Sequence, residues 1–239
     1  MTGLDPPHRA LVFDVFGTVV DWHASIVREG ELLGAQLGRP IDWPAFARRW
    51  RAGYQPALSR VRDGSIGWVN VDELHRQLLD GLIAEFGLEA LTPAQREHLN
   101  RVWHRLAPWP DVPRGLARLK AGRIVATLSN GHVALLVDLA RFGGLPWDCV
   151  LSAELFQAYK PQPEVYRGAA ALLGFEPHEV TMVAAHPSDL HAARDAGLRT
   201  AYVRRPLEYG LGEPFTPAPD ADFDIAVDDF DALAARLGD

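Results

Sequence analysis

"LVFDVFGTVVDW", residues 11–22, is the stretch on which the fold turns. Residues 10–14 make a short apolar run that ends at one carboxylate, Asp14, before the chain turns through Gly17 and resumes an apolar course. A run apolar at every position, rather than at alternate ones, is expected of a parallel strand covered on both faces. Similar runs recur at "RIVATLS" (123–129), "DCVLS" (148–152), "EVTMVAA" (179–185) and "RTAYV" (199–203). Helical periodicity fills 132–142, 163–173 and 190–196, with Gly143, Gly174 and Gly197 placed as C-terminal stops. Strands alternating with helices predict right-handed βαβ units, hence an α/β fold with a Rossmann-like, doubly wound parallel sheet.

Residues 22–107 break that alternation with four successive helical patterns, at 24–37, 43–61, 71–86 and 93–106. Gly38 and Gly87 mark C-terminal ends, and "TPAQ" at 92–95 reads as a capping box with Pro in the first turn. The stripe Phe46, Trp50, Tyr54, Leu58, Val61 has helical spacing, and Pro56 predicts a kink in that helix. The expected organisation is an α/β core of residues 1–21 and 108–239 with an all-helical insert over 22–107. "RRPLEYGLGEPFTPAPDADFD" (204–224) reads as a Pro/Gly-rich surface excursion before a last short strand and helix.

Composition narrows the function. The 239 residues are 48% hydrophobic and carry a net charge of −7 with no long run of either sign, which argues against nucleic acid as a partner. An anionic small molecule remains compatible, because a local basic pocket can oppose the global sign. The single Cys149 excludes intrachain disulfides and cysteine-rich zinc sites and is expected to be an inert core thiol. No apolar run approaches the roughly 20 residues of a membrane span, and "MTGLDPPHR" lacks a signal-peptide layout, so the expected compartment is the cytoplasm. No Gly-x-Gly-x-x-Gly follows the first strand, which disfavours a nicotinamide enzyme.

In doubly wound sheets ligands bind beyond the carboxyl ends of the strands. Asp14 falls there, as do Ser129 and Asn130 in "LSNG", Lys160 in "YKPQPEVY", and His186 and Asp189 in "AAHPSD". Each has a plainer reading. Asp14, Thr18, Ser129 and Asp189 can cap turns or helices, Lys160 can be a solvated surface group, Tyr166 can pack its helix, and His186 can bond a backbone carbonyl. Convergence of an acid, a hydroxyl, a lysine and a second acid on one crevice favours a reacting site.

Asp-x-x-Gly-Thr at 14–18, a strand-end Ser129, Lys160-Pro161 and a closing acidic loop together resemble the haloacid dehalogenase superfamily. Within it, "DVFGTVVDW", "LSNG", "YKPQPEVY" and "AAHPSDLHAARDAGLRTAYV" resemble the type II, L-2-haloacid branch over most of the chain. The helical insert corresponds to that family's cap domain. The resemblance implies hydrolysis of a small 2-haloacid without cofactor or metal. Asp14 attacks C2 of a 2-haloalkanoate, and water hydrolyses the resulting ester.

By the same resemblance, Lys160 orients Asp14, and Asp189 keeps Lys160 in place and deprotonates the hydrolytic water. Tyr166 stands at a family tyrosine. Thr18 and Ser129 are the expected hydroxyl partners of the nucleophile and of the substrate carboxylate, aided by backbone N–H groups near Val15 and Phe16. His186 stands where the best-known members have Asn, and Ala184 where they have Ser. Asn130 matches the halide cradle, completed by a cap arginine. Of Arg48, Arg49 and Arg51, resemblance to a Trp-Arg pair favours Arg51, with Arg49 second. Ser188 replaces the cradle's aromatic, a smaller lining that suits chloride and extends to fluoride. Phe16, Trp22, Trp50 and Tyr54 are expected either to wall the pocket or to be core. A homodimer through cap surfaces is also implied.

Two positions bear on the rival chemistry. Superfamily phosphatases carry an acid two residues after the nucleophile, here Phe16, and a Gly-Asp-x-x-x-Asp motif whose first acid is here Ala185. The alternatives are a Mg²⁺-dependent phosphatase that recruits its acid and metal ligands elsewhere, and a catalytically silent binding protein on the same scaffold.

Overall fold

In the computed structural model, which describes residues 8–238, the decisive run forms β1 (Ala10–Phe13), buried at all four positions. It pairs in parallel with β4 (Ile124–Ser129) on one side and β6 (Val180–Ala184) on the other. Beyond them lie β5 (Cys149–Ser152), β7 (Arg199–Val203) and β8 (Ile225–Val227). The order β5-β4-β1-β6-β7-β8, parallel throughout, puts the topological switch beside β1, where a doubly wound sheet opens its binding crevice. The stretch "MTGLDPP", on which the export reading partly rests, lies outside the described residues.

Helices α6 (Val133–Gly143), α7 (Pro163–Leu172) and α8 (Pro187–Asp195) follow β4, β5 and β6. Two boundaries differ from expectation. Helix α6 includes Gly143, and the left-handed residue that stops it is Gly144, φ 61°. Helix α8 starts three residues early because Pro187, with its fixed φ and missing N–H, suits a first helical position. Helix α5 (Val112–Lys120), not anticipated, buries Val112, Leu116 and Leu119 and packs on α9 (Phe230–Leu237).

The helical insert leaves and re-enters the core through a two-stranded antiparallel pair, β2 (Val20–Asp21) with β3 (Ala107–Pro108). Between them run α1 (Trp22–Leu37), α2 (Trp43–Arg62), α3 (Val71–Glu85) and α4 (Pro93–Asn100). Their N-termini are capped by Asp21, Asp42, Asn70 and Thr92, whose side chains each accept an otherwise orphaned backbone N–H. The fourth helix is shorter than expected, with Arg101–His104 continuing as a 3₁₀ turn. Helix α2 runs unbroken through Pro56: that residue and Ala52 are exposed, so water can take the carbonyl that proline leaves unpaired. Gly30 lets α1 close on α2, since a Cβ there would lie 2.3 Å from the Trp43 ring.

Aromatic packing ties insert to core. Phe16, two residues past Asp14, meets Trp103 edge-on at 5.6 Å and Tyr54 at 6.3 Å, and Trp50 packs on Trp103 at 5.5 Å. Each such fully buried side chain contributes about 1.5–3 kcal/mol. No described helix is long and apolar enough to cross a membrane.

Candidate active site

Asp14 follows β1 directly, and its N–H donates to the Val183 carbonyl at 3.0 Å, which fixes the acid at the end of the β1–β6 ladder. Gly17, at φ +89°, turns the chain back so that Thr18 Oγ1 donates to Asp14 Oδ2 at 2.9 Å while accepting the Ala185 N–H at 2.9 Å. A Cβ on Gly17 would also sit 2.2 Å from Glu208 Oε1. Glycine is therefore demanded twice at this position, by conformation and by space.

Lys160 is buried with its ammonium donating to Asp14 Oδ1 at 3.0 Å and to Asp189 Oδ2 at 2.6 Å. Its backbone N–H donates to Asn130 Oδ1 at 2.8 Å, joining the loops after β4 and β5. The Lys160–Pro161 peptide is cis. From α7, Tyr166 donates its hydroxyl to Asp189 Oδ1 at 2.5 Å. Asp189 lies in the first turn of α8, and no side chain caps that helix; its two oxygens serve the lysine and the tyrosine instead.

His186 lies between two carboxylates. Nδ1 is 3.0 Å from Asp14 Oδ2, and Nε2 is 3.0 and 3.1 Å from the two Glu208 oxygens. Carboxylates only accept, so the ring satisfies both sides only when doubly protonated.

Burial by itself would raise the Asp14 carboxyl, but the Lys160 ammonium and His186 hold it far below the usual carboxylate range. Burial opposes charge on Lys160 as well, yet the Asp14 and Asp189 carboxylates raise its pKa, so the ammonium persists. Burial would likewise lower His186, but Glu208 and then Asp14 push it well above the ordinary histidine value. For Tyr166, burial and Asp189 both act upward, so its proton stays in place. Burial raises Tyr54 to about 12.

These groups line one cavity of about 530 Å³. Asp14, Phe16, Asn130, Lys160, Tyr166, His186, Ser188 and Asp189 reach it from the sheet's carboxyl end, and Arg51 and Tyr54 from α2. The Arg51 guanidinium lies 4.7 Å from the Tyr54 ring and 4.0 Å from Glu208 Oε1, while its buried Nη1 has no hydrogen-bond partner. A buried cationic N–H without an acceptor has an unmet hydrogen-bonding capacity that an anion would satisfy.

Several expected site residues lie elsewhere. Arg49 points outward, 57% exposed, with Nε 3.1 Å from Glu85 Oε1, because two residues at 100° each turn it to the far side of α2 from Arg51. Ser129 is fully buried, and its hydroxyl oxygen accepts the Gly131 N–H at 3.1 Å, capping a turn. Val15 is buried and its carbonyl accepts the Val19 and Val20 N–H groups, so any contact it makes to a ligand falls to its backbone N–H, the group the motif singled out. Trp22 is core, donating Nε1 to Glu208 Oε1 at 3.0 Å behind the cavity. Trp50 is core too, bonded to the His75 carbonyl. His186 bonds carboxylates rather than a carbonyl. Cys149 is only half-buried, on the edge strand β5.

Glu208 was not foreseen. It belongs to the stretch read as surface excursion, yet Arg205 and Glu208 are both buried. Arg205 forms a bidentate pair with Asp111, both bonds 2.9 Å, and donates to the Thr18 carbonyl at 3.0 Å, while the Glu208 N–H donates to the Arg205 carbonyl at 3.1 Å. A long-range staple pins the loop, and no local pattern announces it.

The Lys160 ammonium bridges Asp14 and Asp189, 3.0 Å from one carboxylate and 2.6 Å from the other. Away from the cavity, Asp72, His104 and His132 bring ligand atoms within 4.8 Å of one another. There both His104 nitrogens already face carboxylates, Asp72 at 2.9 Å and Asp138 at 2.7 Å, which straps α3 to α6.

A profile described as haloacid dehalogenase-like hydrolase matches residues 8–197. The chain is 31% identical over 207 residues to (S)-2-haloacid dehalogenase 4A of Burkholderia cepacia, covering 84% of this chain and 86% of that protein. Among solved structures, it resembles the L-2-haloacid dehalogenase PA0810 at 47% identity and TM-score 0.92, over 96% of this chain and 98% of that one. The defluorinating L-2-haloacid dehalogenase Rha0230 matches at 40% identity and TM-score 0.90, over 96% and 95% of the two chains.

Proposed function

The chain belongs to the haloacid dehalogenase-like hydrolases, and from that premise we propose that it hydrolyses short 2-haloalkanoic acids to 2-hydroxy acids and halide. The observation that carries the reading is the pairing, across one cavity, of a carboxylate held ionised by Lys160 with an unpartnered Arg51 Nη1. Asp14 Oδ2 already accepts from Thr18 and His186, whereas Oδ1 accepts only from Lys160, so Oδ1 keeps a lone pair for attack. Oδ1 bonds to C2 as the C2–halogen bond breaks and the halide departs with its electron pair, inverting C2. Arg51 receives the halide. Asn130, whose Oδ1 is engaged by the Lys160 N–H, has only its Nδ2 donors to add. Water then cleaves the ester, and product, halide and a proton leave.

The insert acts as a cap that keeps water from solvating the nucleophile, with Phe16, Tyr54 and Arg51 at the join. Metal independence is part of the proposal, supported by the Lys160 ammonium between the two carboxylates and by Phe16 and Ala185, whose side chains offer no oxygen ligand. Ser188 in the lining and a defluorinating relative support acceptance of chloride and fluoride. We also propose a homodimer, for which exposed Leu32 on α1 offers apolar surface, and a cytoplasmic location, supported by a single cysteine and no internal disulfide. The test is halide release from the 2-chloropropanoate enantiomers, bromoacetate and fluoroacetate with and without EDTA, comparing Asp14→Asn. Release that EDTA leaves intact and Asp14→Asn abolishes supports the reading. Mg²⁺-dependent phosphate release from an aryl phosphate, without halide release, would replace it with the phosphatase.

A further inference from the structure

After alkylation the two oxygens of Asp14 become unlike. If Oδ1 carries the substrate carbon, Oδ2 is the ester carbonyl, and it is the atom on which negative charge gathers when water adds to Cγ. That oxygen already faces two donors, Thr18 Oγ1 at 2.9 Å and His186 Nδ1 at 3.0 Å. Donors aimed in advance at a developing oxyanion are among the strongest devices an acyl-transfer site has. The imidazole's other nitrogen is gripped by both Glu208 oxygens. We propose that Glu208 is a positioning residue that keeps His186 in its imidazolium form against Asp14 Oδ2, so that the second half-reaction, hydrolysis of the aspartyl ester, has a charged oxyanion donor.

The proposal rests on the aspartyl-ester reading above. Its chemistry balances. Water gives one proton to Asp189 as its oxygen bonds to Cγ, and charge moves to Oδ2, where His186 and Thr18 hold it. The Cγ–Oδ1 bond then breaks, the leaving alkoxide takes the proton from Asp189, and Asp14 emerges as a carboxylic acid whose proton passes to solvent. His186 donates hydrogen bonds throughout and keeps both protons.

Glu208 is built for this work rather than left over from packing. Its own loop is pinned by the Arg205–Asp111 pair, Trp22 Nε1 holds Oε1 at 3.0 Å, and Gly17 lacks the Cβ that would collide with it. The charged groups around His186 are Asp14 after β1, Lys160 after β5, Asp189 on α8, Glu208 after β7 and Arg51 on α2. Of these, the two that touch the ring are carboxylates. Both favour the imidazolium, in agreement with the upward shift of its pKa.

Glu208→Gln is the test. In free Glu208→Gln the Asp14 carboxylate still holds the imidazolium, so binding and alkylation are predicted to change little. In the ester Asp14 is uncharged, neither neighbour of the ring is then a carboxylate, and His186 gives up its extra proton. In rapid quench with 2-chloropropanoate, the halide burst should stay within about threefold of wild type. Ester on Asp14, followed by intact mass, should accumulate, and kcat at pH 8 should fall about tenfold or more, the difference between a charged and a neutral donor. Lowering the pH toward 6 should reprotonate His186 and restore kcat, a recovery that simple loss of packing would not give. His186→Asn should show the same accumulation without the recovery, and it carries the test if Glu208→Gln does not fold. Equal ester lifetimes in wild type and both variants, or a loss confined to the burst, would overturn the proposal while leaving the ester reading intact. Absence of any Asp14 ester, in wild type and variants alike, would instead sink the reading on which it rests.

Discussion

Replacing Arg51 by Met keeps the length and apolar stem of the side chain and deletes the guanidinium, whose Nη1 has no hydrogen-bond partner. The Arg51 side chain is 11% exposed and its guanidinium is screened on two sides by Tyr54 and Trp22, so water does little to weaken it. At an effective dielectric of 20, an anion about 4 Å away gains ~4 kcal/mol. A hydrogen bond to a charged group, judged from mutational series, contributes about 1.5–3 kcal/mol. Bracketing between these, Arg51→Met should lower kcat/KM for 2-chloropropanoate by roughly 10- to 10³-fold, since 1.4 kcal/mol is about tenfold. Arg49→Met is the internal control. It removes only a half-exposed pair with Glu85 on the outer face of α2, worth little in water, and should leave kcat/KM within about twofold of wild type. Chloride release measured by ion chromatography across substrate concentration gives both numbers. An Arg51→Met enzyme within tenfold of wild type, or an Arg49→Met enzyme equally impaired, would refute the assignment of Arg51 as anion receptor.

Other consequences follow from the same contacts. Thr18→Val strips Asp14 of a donor and leaves the buried Ala185 N–H without its acceptor, and it should cost about 1–3 kcal/mol in urea denaturation as well as activity. Gly17→Ala forces a Cβ into the left-handed region and onto Glu208, and should destabilise by about 1–3 kcal/mol, read as a fall in melting temperature. Acid should act through Asp14. Its folded pKa lies far below the unfolded value of about 3.9, so its stabilisation is complete above that value and is lost as pH falls through the folded pKa. The stability of wild type relative to Asp14→Asn should therefore decline as pH is lowered below about 4, and a difference independent of pH would contradict the depressed pKa.

Much of this was legible in the chain. The all-apolar runs located five of the sheet's strands because a strand covered on both faces tolerates no alternation, and "TPAQ" gave the Thr92–Gln95 capping box because its bonds are local. Asp14, Lys160 and Asp189 could be named since strand ends and motif spacing fix them, and Arg51 by the resemblance of its Trp-Arg pair. What escaped depends on contacts far apart in sequence. Glu208 acts through His186, 22 residues away, on a loop held by Arg205 and Asp111, 94 residues apart. Arg49 and Arg51 differ by helix phase alone, which a neighbouring Pro56 obscured until α2 was seen to continue through it. Ser129 matched the motif, but its hydroxyl is turned into the chain to cap Gly131.

The covalent role of Asp14 is tested most directly by turnover of 2-chloropropanoate in H₂¹⁸O, followed by mass analysis of the Asp14-containing peptide and of the lactate formed. Attack of water on Cγ predicts that the first turnover puts ¹⁸O into the Asp14 carboxylate and leaves the product unlabelled. Labelled lactate from the first turnover, with Asp14 carrying no ¹⁸O, would mean that water strikes C2 itself and would contradict the account.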